Sequence, residues 1–572
     1  MAGLPHKRSG RFAIALCGFL VAAAPLLRAQ AADPVLAAMR QELDRSFRNL
    51  KKGSVPPYFL SYQLTDNRAL QIISSFGALT SVDEHRTRLV DIDLRVGDYA
   101  LDNTHPLRGG NYSFSDFGDP FARETMPLEN DSLPLRMALW YATEKKYKNA
   151  VERLAQVKAN VQVKAAPEDI SGDFSHADVE NHFEPEAQFS FDRAAWEDRV
   201  RKYTAPFAGH PEIIEARAHV IAELETRRYV NTEGSEVRMS SPFYRLIISA
   251  SAKAEDGMEL PLHRTYMSFR PEGLPDDAAV LKDINLMIEN LLALRRAPVA
   301  EPYTGPAILS GRASSVFFHE IFGHRIEGQR QKNEGEAQTF KKKVNEPVLP
   351  DFLSVYSDPT LQHFGDTDLV GYYPFDDEGV KATRVAVVEK GVLKNFLMSR
   401  TPIEGFDHSN GHGRRQQGYR IVARQSNLLV VSSKTVSRPE LKKLLIEQVK
   451  TAGKPYGLLF DDIEGGFTFT QRVLPNAFNV RPTLVYRIYT DGREEMVRGV
   501  DLIGTPLIAF SKIVAADDEV GVFNGICGAE SGWVPVSAVS PGLLVSQIEV
   551  QRKEKSQERP PILPPPPAED KK

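Results

Sequence analysis

Cysteine is almost missing: the 572 residues include only Cys17 and Cys527, which excludes a disulfide-stapled scaffold. Excess basic charge is missing too. With 71 Lys and Arg against 75 Asp and Glu, the formal charge is −4, which argues against nucleic acid as the main partner. No apolar run reaches the roughly 20 residues that span a bilayer; one near the N-terminus, Phe12 to Leu27, is broken by Pro25. No internal repeat is visible. What is present is the balance of a globular chain, 42% hydrophobic and 26% charged. Because single cores stop growing at about 250–300 residues, two domains are expected.

The N-terminus has the grammar of an export signal: Lys7, Arg8 and Arg11 precede the apolar run, and Ala29-Gln30-Ala31 supplies a small-x-small cleavage site. The mature chain is expected to begin near Ala32 and to be periplasmic or secreted. A lipid-anchor reading of Cys17 is weak, because Leu16 stands where lipid attachment needs a small residue. Cleavage removes four basic residues and no acidic ones, moving the formal charge from −4 to −8. It also leaves Cys527 as the sole thiol. Such a thiol in an oxidising compartment is a liability unless it is buried, paired between chains or bound to metal.

Apolar residues at three-to-four spacing (Leu36, Met39, Leu43, Phe47, Leu50) predict a helix over Pro34 to Lys51. Strand character follows over Tyr58 to Thr65, Leu70 to Val82 and Arg86 to Leu101, then a long helix over Leu133 to Val161. Strands over Ile213 to Arg228, Ser235 to Lys253 and Glu259 to Arg270 precede a helix over Asp277 to Ala297. The proline-dense stretch from Arg296 to Pro306 marks a boundary. Beyond it, short strand-like runs dominate: Arg384 to Glu389, Asn427 to Ser432, Gly465 to Val473, Thr483 to Thr490 and Glu495 to Val500. The expected class is α+β. Residues 1–31 are the signal, 32–298 an N-terminal α+β domain, 299–553 a mostly β C-terminal domain carrying one functional helix, and 554–572 a proline-rich tail.

That helix, over Ala313 to Glu327, contains His319-Glu320-Ile321-Phe322-Gly323-His324. Imidazoles suit zinc, and an adjacent carboxylate can take a proton from an attacking water, as in the shorter His-Glu-x-x-His pattern. Here the second histidine stands one residue later. At about 3.6 residues per turn, positions i and i+5 lie about 140° apart, so a regular helix would splay the two rings. The spacing therefore predicts a distortion at Gly323, either a π-type turn or an early helix end. The competing reading is two unrelated histidines, one buried and one exposed, with Glu320 on a solvated face.

The flanking sequence bears on that choice. Gly305 to Arg330 resembles the active-site helix of the TldD/PmbA metallopeptidase family, in its motif-bearing TldD-like form. In order along the chain, Asp377-Glu378-Gly379-Val380 with Val387 to Phe396, Gly411-His412-Gly413-Arg414-Arg415, and Gly525-Ile526-Cys527-Gly528 resemble further segments of that family. The resemblance implies zinc (Zn2+) held by His319, His324 and Cys527, with Glu320 activating the water. It also implies unfolded or flexible peptides as substrates and assembly as a homodimer, or as a heterodimer with a paralogue lacking the motif. Family members commonly act inside the cell, so the export signal sets this chain apart.

Further candidates are Glu327, three residues after His324, as a substrate-binding or ring-orienting carboxylate, and Arg414 and Arg415 as forks for a substrate carboxylate or carbonyl. His408 and His412 read as loop polar groups, and Asp376, Asp377 and Glu378 as turn residues. The leading function is zinc-dependent hydrolysis of peptide bonds. The alternatives are a non-catalytic peptide-binding partner subunit of such a complex, and a purely structural metal.

Overall fold

The computed structural model describes residues 33–107, 124–163, 169–472 and 478–553, with 561–563 and 566 of the tail. The expected export signal lies outside these residues, as does most of the proline-rich tail. Among the described residues no helix is long and apolar enough to cross a membrane.

Asp33 starts the first helix, α1 (Pro34–Leu50): its carboxylate accepts the N–H groups of Val35 and Leu36, both at 3.0 Å, and Pro34 sits in the first turn. The apolar stripe Val35, Leu36, Met39 and Leu43 is buried. It packs toward a seven-stranded sheet of β1 (Pro57–Ser75), β2 (Ala78–Val96), β3 (Glu124–Thr125), β4 (Asn181–Phe183), β5 (Ile213–Asn231), β6 (Glu236–Lys253) and β7 (Glu259–Ser268). The order is β3-β2-β1-β5-β6-β4, with β7 also on β6. Three more helices pack on it: α2 (Ser132–Val163), α3 (Arg193–Thr204) and α4 (Asp277–Arg296).

The three strands expected over 58–101 are two long ones. Asp66, Asn67 and Arg68 looked like a polar break but lie inside β1, paired to both β2 and β5. Arg88 and Arg228 each donate to the Asp66 carboxylate at 2.8 Å, so its polarity is satisfied within the sheet. The real turn is two residues, Phe76 and Gly77, both at positive φ (46° and 87°), which matches the twist of a tight hairpin.

The second half begins with β8 (Tyr303–Leu309), α5 (Gly311–Phe317) and α6 (Gln329–Lys332). It continues through β9 (Leu353–Ser357), β10 (His363–Phe364), β11 (Thr367–Asp368), β12 (Val385–Glu389), β13 (Val392–Leu393), β14 (Gly413–Arg414), β15 (Val422–Ala423), β16 (Asn427–Ser432) and α7 (Arg438–Thr451). It ends with β17 (Tyr456–Thr468), β18 (Phe478–Tyr489), β19 (Glu494–Val497), β20 (Val500–Gly504), β21 (Ile513–Ala529) and β22 (Gly532–Arg552). An eleven-stranded sheet runs β13-β12-β9-β16-β22-β20-β18-β17-β8, with β19 also on β18 and β21 also on β22, and β8 pairs back on β22, closing a ring. The α+β class and the mostly β second half agree with the sequence reading. Its longest hairpin, β21–β22, and helix α7 were not foreseen, and the run expected over Glu495 to Val500 divides at Gly499 into β19 and β20.

The halves meet through buried polar contacts. Asp377 pairs with Arg227 of β5 and accepts from Gln63 Nε2 of β1 at 3.2 Å. Arg400 Nη2 donates to Glu233 at 2.8 Å, and Leu484 of β18 packs into the core built on β6 and α4.

Candidate metal centre

Ser310, directly after β8, caps α5: its hydroxyl oxygen accepts from Ala313 N–H at 3.2 Å and donates to Asp461 O at 2.7 Å, tying the helix start to β17. The α-helical pitch lasts only to Phe317. From Phe318 to Phe322 the backbone widens into a π-turn, closed by the Gly323 N–H on Phe318 O, and Gly323–Arg325 then tightens to a 3-10 turn. The distortion therefore begins a turn before Gly323, and Gly323 is the junction. Phe317, Phe318 and Phe322 all sit against Phe510, with ring centroids 5.9, 5.7 and 5.5 Å away. All four are fully buried, each worth about 1.5–3 kcal/mol by transfer.

The widened turn brings the two histidine rings to 5.3 Å between centroids. Cys527 reaches them from β21. One donor atom from each of His319, His324 and Cys527 lies within 4.8 Å of the others, and all three residues are buried. Cys527 Sγ is 3.3 Å from His324 Nε2, and His319 Nδ1 has no hydrogen-bond partner among the described residues. Two imidazoles and a thiol, buried and converging, fit a zinc ion.

Charge around the donors points the same way. His324 Nδ1 lies 3.4 Å from the Glu327 carboxylate, which Arg330 Nε also meets at 2.8 Å. Arg330 in turn reaches Glu530 at 2.8 Å. Burial alone would lower the His324 imidazole, yet the neighbouring Cys527 and Glu327 charges outweigh it and hold it at about 10. Burial alone would raise the Cys527 thiol, yet His324, His319 and Arg424 hold it well below its ordinary value. Each group thus favours the charged form of the other, and a dication between them can take the place of the shared proton. Glu320 is half-buried; burial lifts its carboxyl above the ordinary range despite the pull of His319, His324 and the Gly466 N–H.

Gly323 has a φ of −58°, which any residue adopts. Its need for glycine is spatial, because a Cβ there would stand 1.8 Å from Gln425 Oε1. Gly323→Ala is expected to cost about 1–3 kcal/mol of stability through overpacking and to lower zinc retention, read by thermal melts and metal analysis.

The other expected residues have different surroundings. Glu327 is fully buried and meets His324, Arg330 and Arg424, which places it to orient the His324 ring. Arg414 is also buried; its Nη1 donates to Gln425 O at 2.7 Å and Pro535 O at 2.8 Å, and its guanidinium stacks over Tyr373. These bonds make it a brace between strands. Arg415 is half-buried, with its N–H on Asp377 at 2.8 Å and its guanidinium 3.8 Å from Asp91. Asp376, Asp377 and Glu378 are buried at the junction of the halves, where Asp376 accepts from Gly413 N–H and Glu378 from Arg400 N–H.

His408 is exposed, whereas His412 is buried between Ser357 and Asn410. Burial pushes the His412 imidazole down from 6.5 to about 3. The folded chain keeps it neutral, while the unfolded chain protonates it below its ordinary value. Its contribution is therefore full above pH 6.5 and is lost as the pH falls toward 3. The stability advantage of wild type over His412→Asn, measured by urea unfolding, is expected to shrink by about 2 kcal/mol between about pH 7 and pH 5.

Arg424, Gln425, Arg330 and Glu530 were missed. One signal was available: the apolar run Ile421 to Val430 is interrupted by Arg424-Gln425-Ser426-Asn427, four residues that are buried.

Residues 302–552 match the family model described as the PmbA/TldA metallopeptidase C-terminal domain. A metalloprotease of Archaeoglobus fulgidus is 31% identical over 237 residues, 41% of this chain and 51% of that protein. A zinc metalloprotease TldD homolog of Saccharolobus solfataricus is 25% identical over 274 residues, 47% of this chain and 57% of its own length. The chain spans about half the length of these curated relatives. Among solved structures, TldE from Thermococcus kodakarensis aligns with a TM-score of 0.57 at 13% identity, covering 90% of this chain and all of that one. That likeness shows the shared fold.

Proposed function

Because this chain belongs to the TldD/PmbA family, chiefly through residues 302–552, we propose that it is a zinc-dependent peptidase acting on unfolded or flexible peptides. The observation that carries the reading is the convergence of His319, His324 and Cys527, from two distant parts of the chain, beside the half-buried Glu320. His319, His324 and Cys527 would hold a zinc ion, which would supply a Lewis acid at this point for the scissile carbonyl and the attacking water.

The side chains supply the rest. Glu320, next to His319 in the widened turn, takes the proton of the attacking water and returns it to the leaving amine. Glu327 holds Nδ1 of His324, which leaves Nε2 facing the Cys527 sulfur. Three protein ligands with one position open is the arrangement of catalytic zinc, whereas structural zinc normally has four. The retained donors and Glu320 likewise disfavour a non-catalytic partner subunit.

We extend the proposal to export directed by residues 1–31 and to assembly as a dimer, which N-terminal sequencing of periplasmic protein and light scattering test in turn. The activity is tested by digesting an unstructured peptide library with and without a chelator, read by mass spectrometry. Cleavage that the chelator stops, and that added zinc restores, is the expected outcome. Cleavage indifferent to the chelator, or none under any condition, overturns the reading.

A further inference from the structure

A π-turn shifts the hydrogen-bond ladder, so carbonyls next to it need other donors. Here His319 O accepts from Gln425 Nε2 at 3.2 Å and Ile321 O from Arg325 Nη1 at 2.9 Å. The same Gln425 fills the space against Gly323 where a Cβ would stand. Its neighbour Arg424 serves the other donors. Arg424 Nη2 donates to Cys527 O at 2.9 Å and lies 3.3 Å from Cys527 Sγ, while its Nη1 donates to Ser531 Oγ and Gly532 O at 2.8 and 3.1 Å. Its Nε lies 3.4 Å from Glu327, the carboxylate that holds His324.

We infer that Arg424 and Gln425 are positioning residues of the metal centre, tying the turn of His319, the Glu327–His324 pair and the strand of Cys527 to one stretch of backbone after β15. The inference rests on the metal reading of the site. Both side chains are fully or almost fully buried, at 0% and 1% exposure. Desolvating a guanidinium is expensive, and an apolar side chain of similar volume fills the same space at less cost. Such a side chain cannot aim a thiolate and an imidazole at a common point. Gln425 likewise occupies a site where a methionine would pack equally well but give nothing to the His319 carbonyl. The donors come from positions about two hundred residues apart, so their convergence needs a fixed common reference, and these adjacent residues touch His319 and Cys527 directly and His324 through Glu327.

The test uses the full-length protein with cobalt as the spectroscopic probe. Gln425→Met and Arg424→Met are expected to weaken cobalt and zinc binding in chelator competition by about 10–100-fold and to change the thiolate-to-cobalt band and ligand-field spectrum. Arg424→Lys, which keeps a cation beside the sulfur without the fork, is expected to recover part of the affinity. A second readout needs no metal: in stripped protein, amide exchange over residues 318–325 is expected to quicken in Gln425→Met while the β-sheets stay protected. If Arg424→Met does not fold, Gln425→Met and Arg424→Lys carry the comparison. Variants with wild-type affinity, spectrum and exchange would show both side chains to be core filling and overturn the inference. A wild-type protein that takes up no cobalt instead sinks the peptidase reading, and the exchange measurement still decides whether Gln425 holds the turn.

Discussion

Glu320→Gln is expected to bind zinc as wild type does and to lose at least about a hundredfold in peptide cleavage, since a positioned general base contributes about 10²- to 10⁴-fold. The substitution keeps the volume and shape of the side chain, so the turn and its histidines should stay in place. What disappears is the capacity to take a proton from water. Metal analysis alongside cleavage kinetics separates this from ligand loss, because His319→Ala and Cys527→Ala should lose zinc and activity together. A Glu320→Gln protein that cleaves at the wild-type rate removes Glu320 from the chemistry.

The second large effect concerns the joint between the halves. Arg227→Met leaves the Asp377 carboxylate buried without its charge partner; Asp377 is 5% exposed. Stranding a buried charge in this way costs about 3–5 kcal/mol. Gln63 Nε2 and Arg415 N–H still donate to Asp377, at 3.2 and 2.8 Å, which favours the lower end. Asp377→Asn in the same background should recover part of the loss, as the carboxamide has no charge to strand. Chemical denaturation of the single and double variants reads this directly. A single variant as stable as wild type would mean that the pair adds nothing to the joint.

How much of this was visible in the residues depends on whether a local pattern encoded it. The amphipathic spacing of α1 and α4 is local, and so is the mismatch between a five-residue histidine spacing and a regular helix, which calls for a distortion, either a π-type turn or an early helix end. Cys527 entered as the sole thiol left after the expected cleavage and through its flanking glycines. What was not legible depends on partners far away in sequence. Asp66 looks like a strand breaker until Arg88 and Arg228 are placed beside it. Arg414 looks like a surface fork until the carbonyls of Gln425 and Pro535 are found to take its protons. Arg424 and Gln425 carry no motif, and their meaning comes from three donors contributed by other segments. The long β21–β22 hairpin escaped because its glycines, acidic residues and Pro541 interrupt the alternation, while pairing with β8 and β20 holds it extended.

The central claim is that His319, His324 and Cys527 hold one zinc ion. Zinc-edge X-ray absorption on the purified full-length protein tests it most directly. The account predicts one sulfur at about 2.3 Å and two imidazole nitrogens at about 2.0–2.1 Å, with the sulfur shell lost in Cys527→Ala. Protein free of zinc after purification and zinc loading, or a zinc shell with no sulfur, would contradict it.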